Sequence, residues 1–76
     1  MQYVAKFFKD DDGIGAEFPD VPGAYTCADS LEEAMDMAKE ALTGVLRSML
    51  DRHDPLPVAK TKPNVEKFLI PIDVEV

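Results

Sequence analysis

The sequence predicts an α+β domain of order βββαβ, in which an antiparallel sheet carries one long helix on one face. Three observations predict it. Three short β-type runs separated by turn residues fill positions 1–28, a capped amphipathic segment follows, and positions 67–76 alternate between two faces. Consecutive strands favour a meander, and a single helix covers one side of it. The 76 residues suit one domain, assigned to positions 1–76.

The three early strands are bounded by turn chemistry. The first strand is predicted at Gln2–Phe8, and Asp10–Gly13 forms a turn because Asp tolerates turn geometry and Gly adopts positive φ. The second strand is predicted at Ile14–Phe18. Pro19–Gly23 then forms a rigid loop, since its two prolines lack a backbone donor, and Ala24–Ala28 is the third strand.

The helix has a clear start and end. Ser30 and Glu33 form an S-x-x-E capping box, and Pro55 stops the helix near Arg52. Apolar residues at three- and four-residue steps predict one buried stripe, with Ala41 and Leu46 at its margins. The stripe comprises Leu31, Ala34, Met35, Ala38, Leu42, Val45 and Met49.

The last strand is predicted at Lys67–Val76, with Phe68 among its inward residues. Pro71 indicates either an edge strand or a position whose missing donor would point away from the neighbouring strand. The helix leaves the other face of the sheet uncovered. That face is predicted to hold Val4, Phe8, Tyr25 and Leu69. A half-covered sheet with a long edge strand invites a partner.

Charge is unevenly distributed along the chain. The formal net charge is −7; positions 1–36 hold nine acids and two bases, whereas positions 37–76 hold six of each. Such a field repels nucleic acid and attracts basic surfaces, although it also serves plain solubility. We predict a partner-binding surface formed by the rigid loop, the acidic turn and the helix start. Its residues are Asp10, Asp11, Asp12, Asp20, Asp29, Glu32 and Glu33.

The small size of the chain favours oligomerisation, because a core of this size gives marginal stability. One Cys and one His allow neither an internal disulfide nor a zinc site. Cys27 is predicted to be a small buried strand residue, and a single thiol suits a reducing cytosol. No apolar run is long enough to span a bilayer, so we expect a cytoplasmic protein that does not contact membranes.

The sequence offers no catalytic, cofactor-binding or metal-binding set. An EF-hand fails because Ile14 and Val21 occupy ligand positions, and Phe18 replaces the third Gly of a dinucleotide fingerprint. Ser30 is explained as a helix cap and His53 as a residue at the helix end. The sequence has no Trp and no basic stripe, so it does not predict a nucleic-acid-binding surface. Binding to a protein, rather than catalysis, is therefore expected.

A row of small residues flanks the predicted stripe of the helix. Gly44 costs about 1 kcal/mol relative to Ala inside a helix. We name the row the helix shoulder: Met37, Ala41, Gly44 and Ser48. It either meets a partner or a second copy, or it only rims the core.

The sequence resembles the HicB-like antitoxin family. The likeness covers nearly all of positions 1–76 and rests chiefly on an F-P-D-x-P-G loop followed by E-E-A at the helix start. The matching residues are Gly13, Phe18–Gly23, Thr26, Asp29–Ala34 and Ala38–Leu42, with Leu56-Pro57 and Phe68–Val76 similar to the family's proline loop and final strand. Ala28 departs from the pattern, which commonly has Gly there.

The resemblance implies a partial ribonuclease-H-like domain that neutralises a small basic HicA-type toxin, an mRNA-cleaving ribonuclease. It also implies a C-terminal DNA-binding domain, for which the sequence has no counterpart, so DNA binding is not carried over. The chain is then either a stand-alone member or a piece without its tail. Two other hypotheses are a stand-alone homo-oligomeric scaffold or small-ligand module, and a degenerate nuclease or RNA binder, which the charge disfavours.

Overall fold

Four antiparallel strands in the spatial order β3-β2-β1-β4 form one sheet in the computed structural model, which describes residues 1–76. The elements are β1 Gln2–Asp10, β2 Gly13–Glu17, β3 Tyr25–Ala28, α1 Leu31–Asp51, a 3-10 turn at Val65–Lys67 and β4 Leu69–Asp73. This order confirms the predicted α+β fold with one long helix. Both outer strands, β3 and β4, are short.

The strand ends differ from the prediction where the backbone turns. β1 runs on through Asp10, and Asp11 turns the chain with a φ of 52°. β4 begins at Leu69 rather than Lys67, because the preceding 3-10 turn ends at Phe68 in the left-handed region, with a φ of 56°. Pro71 pairs with Val4 on the outer strand, so its missing donor breaks no ladder.

The helix starts as predicted, since the Ser30 hydroxyl accepts a hydrogen bond from the Glu33 N–H at 3.2 Å. Its buried row is centred differently from the predicted stripe. The fully buried helical residues are Ala34, Ala38, Leu42 and Leu46. These residues are four apart, so they form one row on the helix surface, and that row packs into the core. Leu46 is therefore central, while Leu31 and Met35 are exposed.

The core lies between α1 and one face of the sheet, where β1 contributes Tyr3, Ala5 and Phe7. The Tyr3 hydroxyl donates to the Pro57 carbonyl at 2.6 Å, which ties the proline-rich loop after the helix to the core. Because the buried phenol has this partner, an aromatic side chain fills the core without an unsatisfied polar group.

The opposite face of the sheet carries an aromatic pair. The rings of Phe8 and Tyr25 are 6.3 Å apart, and Phe8 lies over Gly15, where a Cβ would meet the ring at 2.5 Å. Only glycine therefore allows Phe8 this position. Cys27 is on the same face and is exposed, so the prediction of a buried cysteine was wrong. The single helix covers only one face of the four-stranded sheet, so no other element covers this face.

Candidate functional site

The end of the sheet at the β1–β2 turn brings together acids from distant parts of the sequence. Asp10 ends β1 and Asp11 begins the turn after it, and β3 returns the chain so that Asp29 and Glu33 lie beside them at the start of α1. We call these four residues the acidic cluster. They line a shallow concavity of about 350 Å³ together with Gly13, Cys27 and Ala28, and no basic side chain lines it.

The carboxylates of the acidic cluster have no ion-pair partner. The ion pairs of the chain are elsewhere, between the N-terminus and Asp73 and between Arg52 and Asp54. Asp10 accepts a hydrogen bond from the Tyr25 hydroxyl at 3.0 Å, and this bond raises the pKa of the phenol. Asp29 and Glu33 lie near the positive end of the helix dipole, which favours negative charge there. The cluster therefore presents negative charge that nothing in the chain neutralises.

An apolar groove of about 220 Å³ lies next to the acidic cluster at the same end of the sheet. It is lined by Phe7, Phe8, Lys9, Ile14, Leu31 and Phe68. Leu31 is 42% exposed and Phe68 is 57% exposed, although the sequence predicted both on buried faces. Period and spacing place a residue on a face, but they do not tell whether the neighbouring element extends far enough to cover it. The sequence pattern alone therefore does not predict the apolar groove.

Asp20 lies apart from the acidic cluster and has a different set of contacts. Its carboxylate accepts the N–H groups of Lys60 and Thr61, each at 2.8 Å, and the Thr61 hydroxyl at 3.0 Å. The Thr61 N–H is the main cause that lowers the pKa of Asp20. Asp20 therefore holds the two proline-rich loops together, and its carboxylate is not free like those of the cluster.

The remaining predicted residues occupy two other surfaces. Asp12 and Glu32 are exposed but do not line the concavity of the acidic cluster. Most of the helix shoulder lies over β3: Met37, Ala41 and Gly44 line a second concavity with Thr26, Glu40 and Val45. Ser48, the last shoulder residue, is outside it and accepts a hydrogen bond from Arg52 at 2.7 Å.

The arrangement suits electrostatic binding. No group of three or more His, Cys, Asp or Glu side chains is placed to hold a metal ion, and His53 is exposed at the end of α1. None of the helices combines the length and the apolar character needed to cross a bilayer. The site combines negative charge with a neighbouring apolar groove, and both features are chemically complementary to a basic protein surface.

Comparison with known proteins identifies the family. The sequence profile described as "HicB_like antitoxin of bacterial toxin-antitoxin system" matches residues 3–69. The chain belongs to the HicB-like antitoxin family. This is a family of antitoxins rather than of enzymes, in agreement with the predicted absence of catalytic function.

Two curated relatives are longer than this chain. The chain is 37% identical over 62 residues to "Antitoxin HicB 2" of Photorhabdus laumondii subsp. laumondii, covering 82% of this chain and 45% of the relative. It is 38% identical over 69 residues to an uncharacterized 14.9 kDa protein of Haemophilus phage HP1, covering 91% of this chain and 50% of that protein. The chain thus spans about half the length of the curated relatives it matches.

Solved HicB structures share the fold. A chain of the "HicA3 and HicB3 toxin-antitoxin complex" superposes with a TM-score of 0.76 at 21% identity, with complete coverage of both chains. The N-terminal domain of Burkholderia pseudomallei antitoxin HicB superposes with a TM-score of 0.73, also at 21% identity and complete coverage of both. Identity this low shows the shared βββαβ fold and leaves the contact residues to be argued from this chain.

Proposed function

We propose that this chain is the antitoxin of a type II toxin–antitoxin pair that binds and neutralises a small basic HicA-type mRNA-cleaving toxin in the cytoplasm. The observation that carries the proposal is the acidic cluster: four carboxylates without ion pairs, in one concavity, on a member of an antitoxin family. A protein of the same fold occurs in a toxin–antitoxin complex with HicA3, which supports a toxin as the partner.

The acidic cluster and the apolar groove have complementary roles in this proposal. Unpaired carboxylates accelerate encounter with a basic partner and orient it, and this effect weakens as salt screens the charges. The exposed Leu31 and Phe68 side chains in the groove supply apolar surface that the partner removes from water. Because the fold already holds the β1–β2 turn and the start of α1 in place, little conformational entropy is lost when the partner binds.

The proposal is tested by co-expression with a small basic HicA-type protein, for which the product of the neighbouring gene is the first candidate. We expect relief of growth inhibition and a complex that copurifies with the toxin. The triple variant Asp11→Asn, Asp29→Asn, Glu33→Gln should bind at least about tenfold more weakly, because several charge pairs each contribute about 0.5 kcal/mol or more. The affinity of the unchanged chain should also fall as salt rises, and more steeply than that of the variant.

A matched control removes three negative charges elsewhere: Asp51→Asn, Glu66→Gln, Glu75→Gln. All three residues are exposed and outside the acidic cluster. The control should bind like the unchanged chain, which separates position from total charge. If the unchanged chain neither binds the neighbouring protein nor relieves inhibition, the antitoxin proposal fails, and the stand-alone homo-oligomeric or small-ligand module becomes the better description.

A further inference from the structure

The end of β1 nearest the acidic cluster has no neighbouring strand on the β4 side. β4 pairs with Gln2–Lys6, whereas β1 runs on to Asp10. The Phe7 N–H donates to the Phe68 carbonyl at 3.0 Å, and no backbone hydrogen bond joins β1 to that side of the sheet beyond this point. The chain turns away there, because Phe68 has a φ of 56° and its N–H donates to Val65.

Three backbone groups of β1 therefore remain unpaired along this edge. Because Phe7 faces β4 and strand residues alternate, Phe8 and Asp10 direct their backbone groups toward β2. The Phe7 carbonyl and both backbone groups of Lys9 point the other way, and none of the three has a backbone partner. We call these three groups the free edge of β1. An unpaired strand edge is a template for a further strand.

The apolar groove lies along the free edge, on the face of the sheet that carries α1. Lys9 and Ile14 are opposite each other in β1 and β2, and they share that face with Phe7 and with Leu31 of the helix. A residue of an added strand opposite Lys9 has its side chain on the same face, in either strand direction, so it projects over the groove. At about 220 Å³ the groove is smaller than the sites of about 300–1,000 Å³ that hold drug-sized molecules, so its size suits one large apolar side chain.

The unpaired groups favour an added strand that runs parallel to β1. In a parallel pair, one residue donates its N–H to the Phe7 carbonyl and accepts the Lys9 N–H, and the residue two positions later donates to the Lys9 carbonyl. All three groups of the free edge are then paired. An antiparallel strand exchanges two hydrogen bonds with Lys9 but leaves the Phe7 carbonyl unpaired, because Phe68 already lies opposite Phe7.

The charge of the surroundings selects the residues beside the apolar side chain. Past Lys9 the free edge leads to Asp10 and Asp11 of the acidic cluster. A strand parallel to β1 runs toward these acids, so the residues that follow its apolar side chain meet carboxylates without an ion-pair partner. Lys and Arg are favoured at those positions, and Asp and Glu are disfavoured.

We propose that an extended segment of the basic toxin pairs with the free edge of β1, in the space that β4 leaves empty. The segment places one large apolar side chain in the apolar groove and the basic residues that follow it beside the acidic cluster. Backbone pairing supplies affinity, while the groove and the cluster select the sequence. This inference rests on the proposed function and adds to it the conformation and the side chains by which the partner is held.

A proline substitution tests the strand pairing. Lys9→Pro removes an N–H that no strand of the chain uses, and Pro71 already occupies an outward-facing position of this kind on β4. Lys9→Ala is the matched control, because it removes the same charge and keeps the N–H. In calorimetric titration with a small basic HicA-type protein, Lys9→Pro should bind about tenfold more weakly than Lys9→Ala. Circular dichroism checks that both variants fold.

Hydrogen exchange measured by NMR reads the same contact in the unchanged chain. The Lys9 N–H should exchange rapidly in the free protein and at least about tenfold more slowly in the complex, because it becomes hydrogen-bonded. The Phe8 N–H is the internal control, since it faces β2 in both states. If the Lys9 N–H is instead protected in the free protein, increasingly so at higher protein concentration, a second copy occupies the edge and the proposal is overturned.

Two equally exposed leucines of α1 test the apolar groove. Leu31 is 42% exposed and lines the groove, whereas Leu50 is 43% exposed at the other end of the helix and does not line it. Leu31→Gln should weaken binding about fivefold or more, because the apolar side chain of the partner loses its contact. Leu50→Gln should change the affinity by less than about twofold.

The failure of this inference and the failure of the antitoxin proposal give different results. If the unchanged chain does not bind the toxin, both are overturned. If the unchanged chain binds, but Lys9→Pro binds as well as Lys9→Ala and the Lys9 N–H still exchanges rapidly in the complex, only the strand pairing is overturned. Equal effects of Leu31→Gln and Leu50→Gln would exclude the groove as the site of the apolar side chain.

Discussion

The acidic cluster and Asp20 consist of the same kind of side chain in two different surroundings. The cluster carboxylates face solvent without a cation, and only Asp10 has a hydrogen-bond partner, the Tyr25 hydroxyl. Asp20 accepts three hydrogen bonds from Lys60 and Thr61, which are 40 and 41 positions away. The first group is free to bind another molecule, whereas the second is occupied in holding the fold.

The difference comes from where backbone donors are placed. Two successive N–H groups of the proline-rich loop after the helix point at one oxygen of Asp20, because Asp20 lies on the loop against which that segment packs. No comparable donors reach Asp11, Asp29 or Glu33, which lie in the β1–β2 turn or at the start of the helix. Equal charge therefore has a structural role at Asp20 and, in our proposal, a binding role in the acidic cluster.

The largest effect on folding is expected at Asp20. Asp20→Ala should lower the free energy of unfolding by about 1–3 kcal/mol, because hydrogen bonds to a charged group are lost and their donors lose a partner. Asp20→Asn should cost less, since an amide oxygen still accepts. Urea denaturation measures both. The triple variant of the acidic cluster should lower the free energy of unfolding by less than Asp20→Ala does, and by about 1 kcal/mol at most, because the lost interaction of Asp29 and Glu33 with the helix dipole is partly offset by weaker repulsion among the acids. An equal loss in the triple variant and in Asp20→Ala would contradict the difference between the two sites.

A pH titration of stability sharpens the same comparison. The pKa of Asp20 is lowered on folding, chiefly by the Thr61 N–H, so its contribution is complete above the unfolded pKa of about 3.9 and is lost as pH falls through the lower folded value. The difference in unfolding free energy between the unchanged chain and Asp20→Asn should therefore shrink below about pH 4. A difference that stays constant down to strongly acidic pH would contradict this assignment.

The smallest effect is expected at Tyr25, the one contact within the acidic cluster. Its bond to Asp10 raises the pKa of the phenol, so any stability from the bond is present below the ordinary pKa and is lost as pH rises through the folded value. In an NMR titration, Tyr25 should ionise at higher pH than an ordinary tyrosine, and Asp10→Asn should shift it back. If Asp10→Asn leaves the midpoint unchanged, Asp10 is not the cause.

Local patterns predicted the elements because their causes are local. The Ser30 cap and the prolines after Arg52 bound the helix correctly, and turn residues separate the strands as expected. The prediction that Pro71 marks an edge strand is confirmed for the same reason, since a missing donor is a property of one residue. The acids at the turn and at the helix start were recognisable from their charge, although their assembly into one concavity was not.

The exposure of particular residues was predicted less well. Cys27, Leu31 and Phe68 were expected to be buried, and all three are exposed. Alternation assigns Cys27 to a face but does not tell which face the helix covers, and the 3-10 turn before β4 moves Phe68 out of its predicted strand. Val4, on the face opposite the helix, is buried nonetheless.

The sequence by itself determined the order of elements, the helix ends and the negative charge of the first half, because these follow from neighbouring residues. Tertiary structure alone decided that four acids share one concavity while Asp20 binds a distant loop, and that the end of β1 extends beyond β4. The physical reason is that such contacts depend on how strands align and how the helix crosses them, and those distances join residues far apart in the chain.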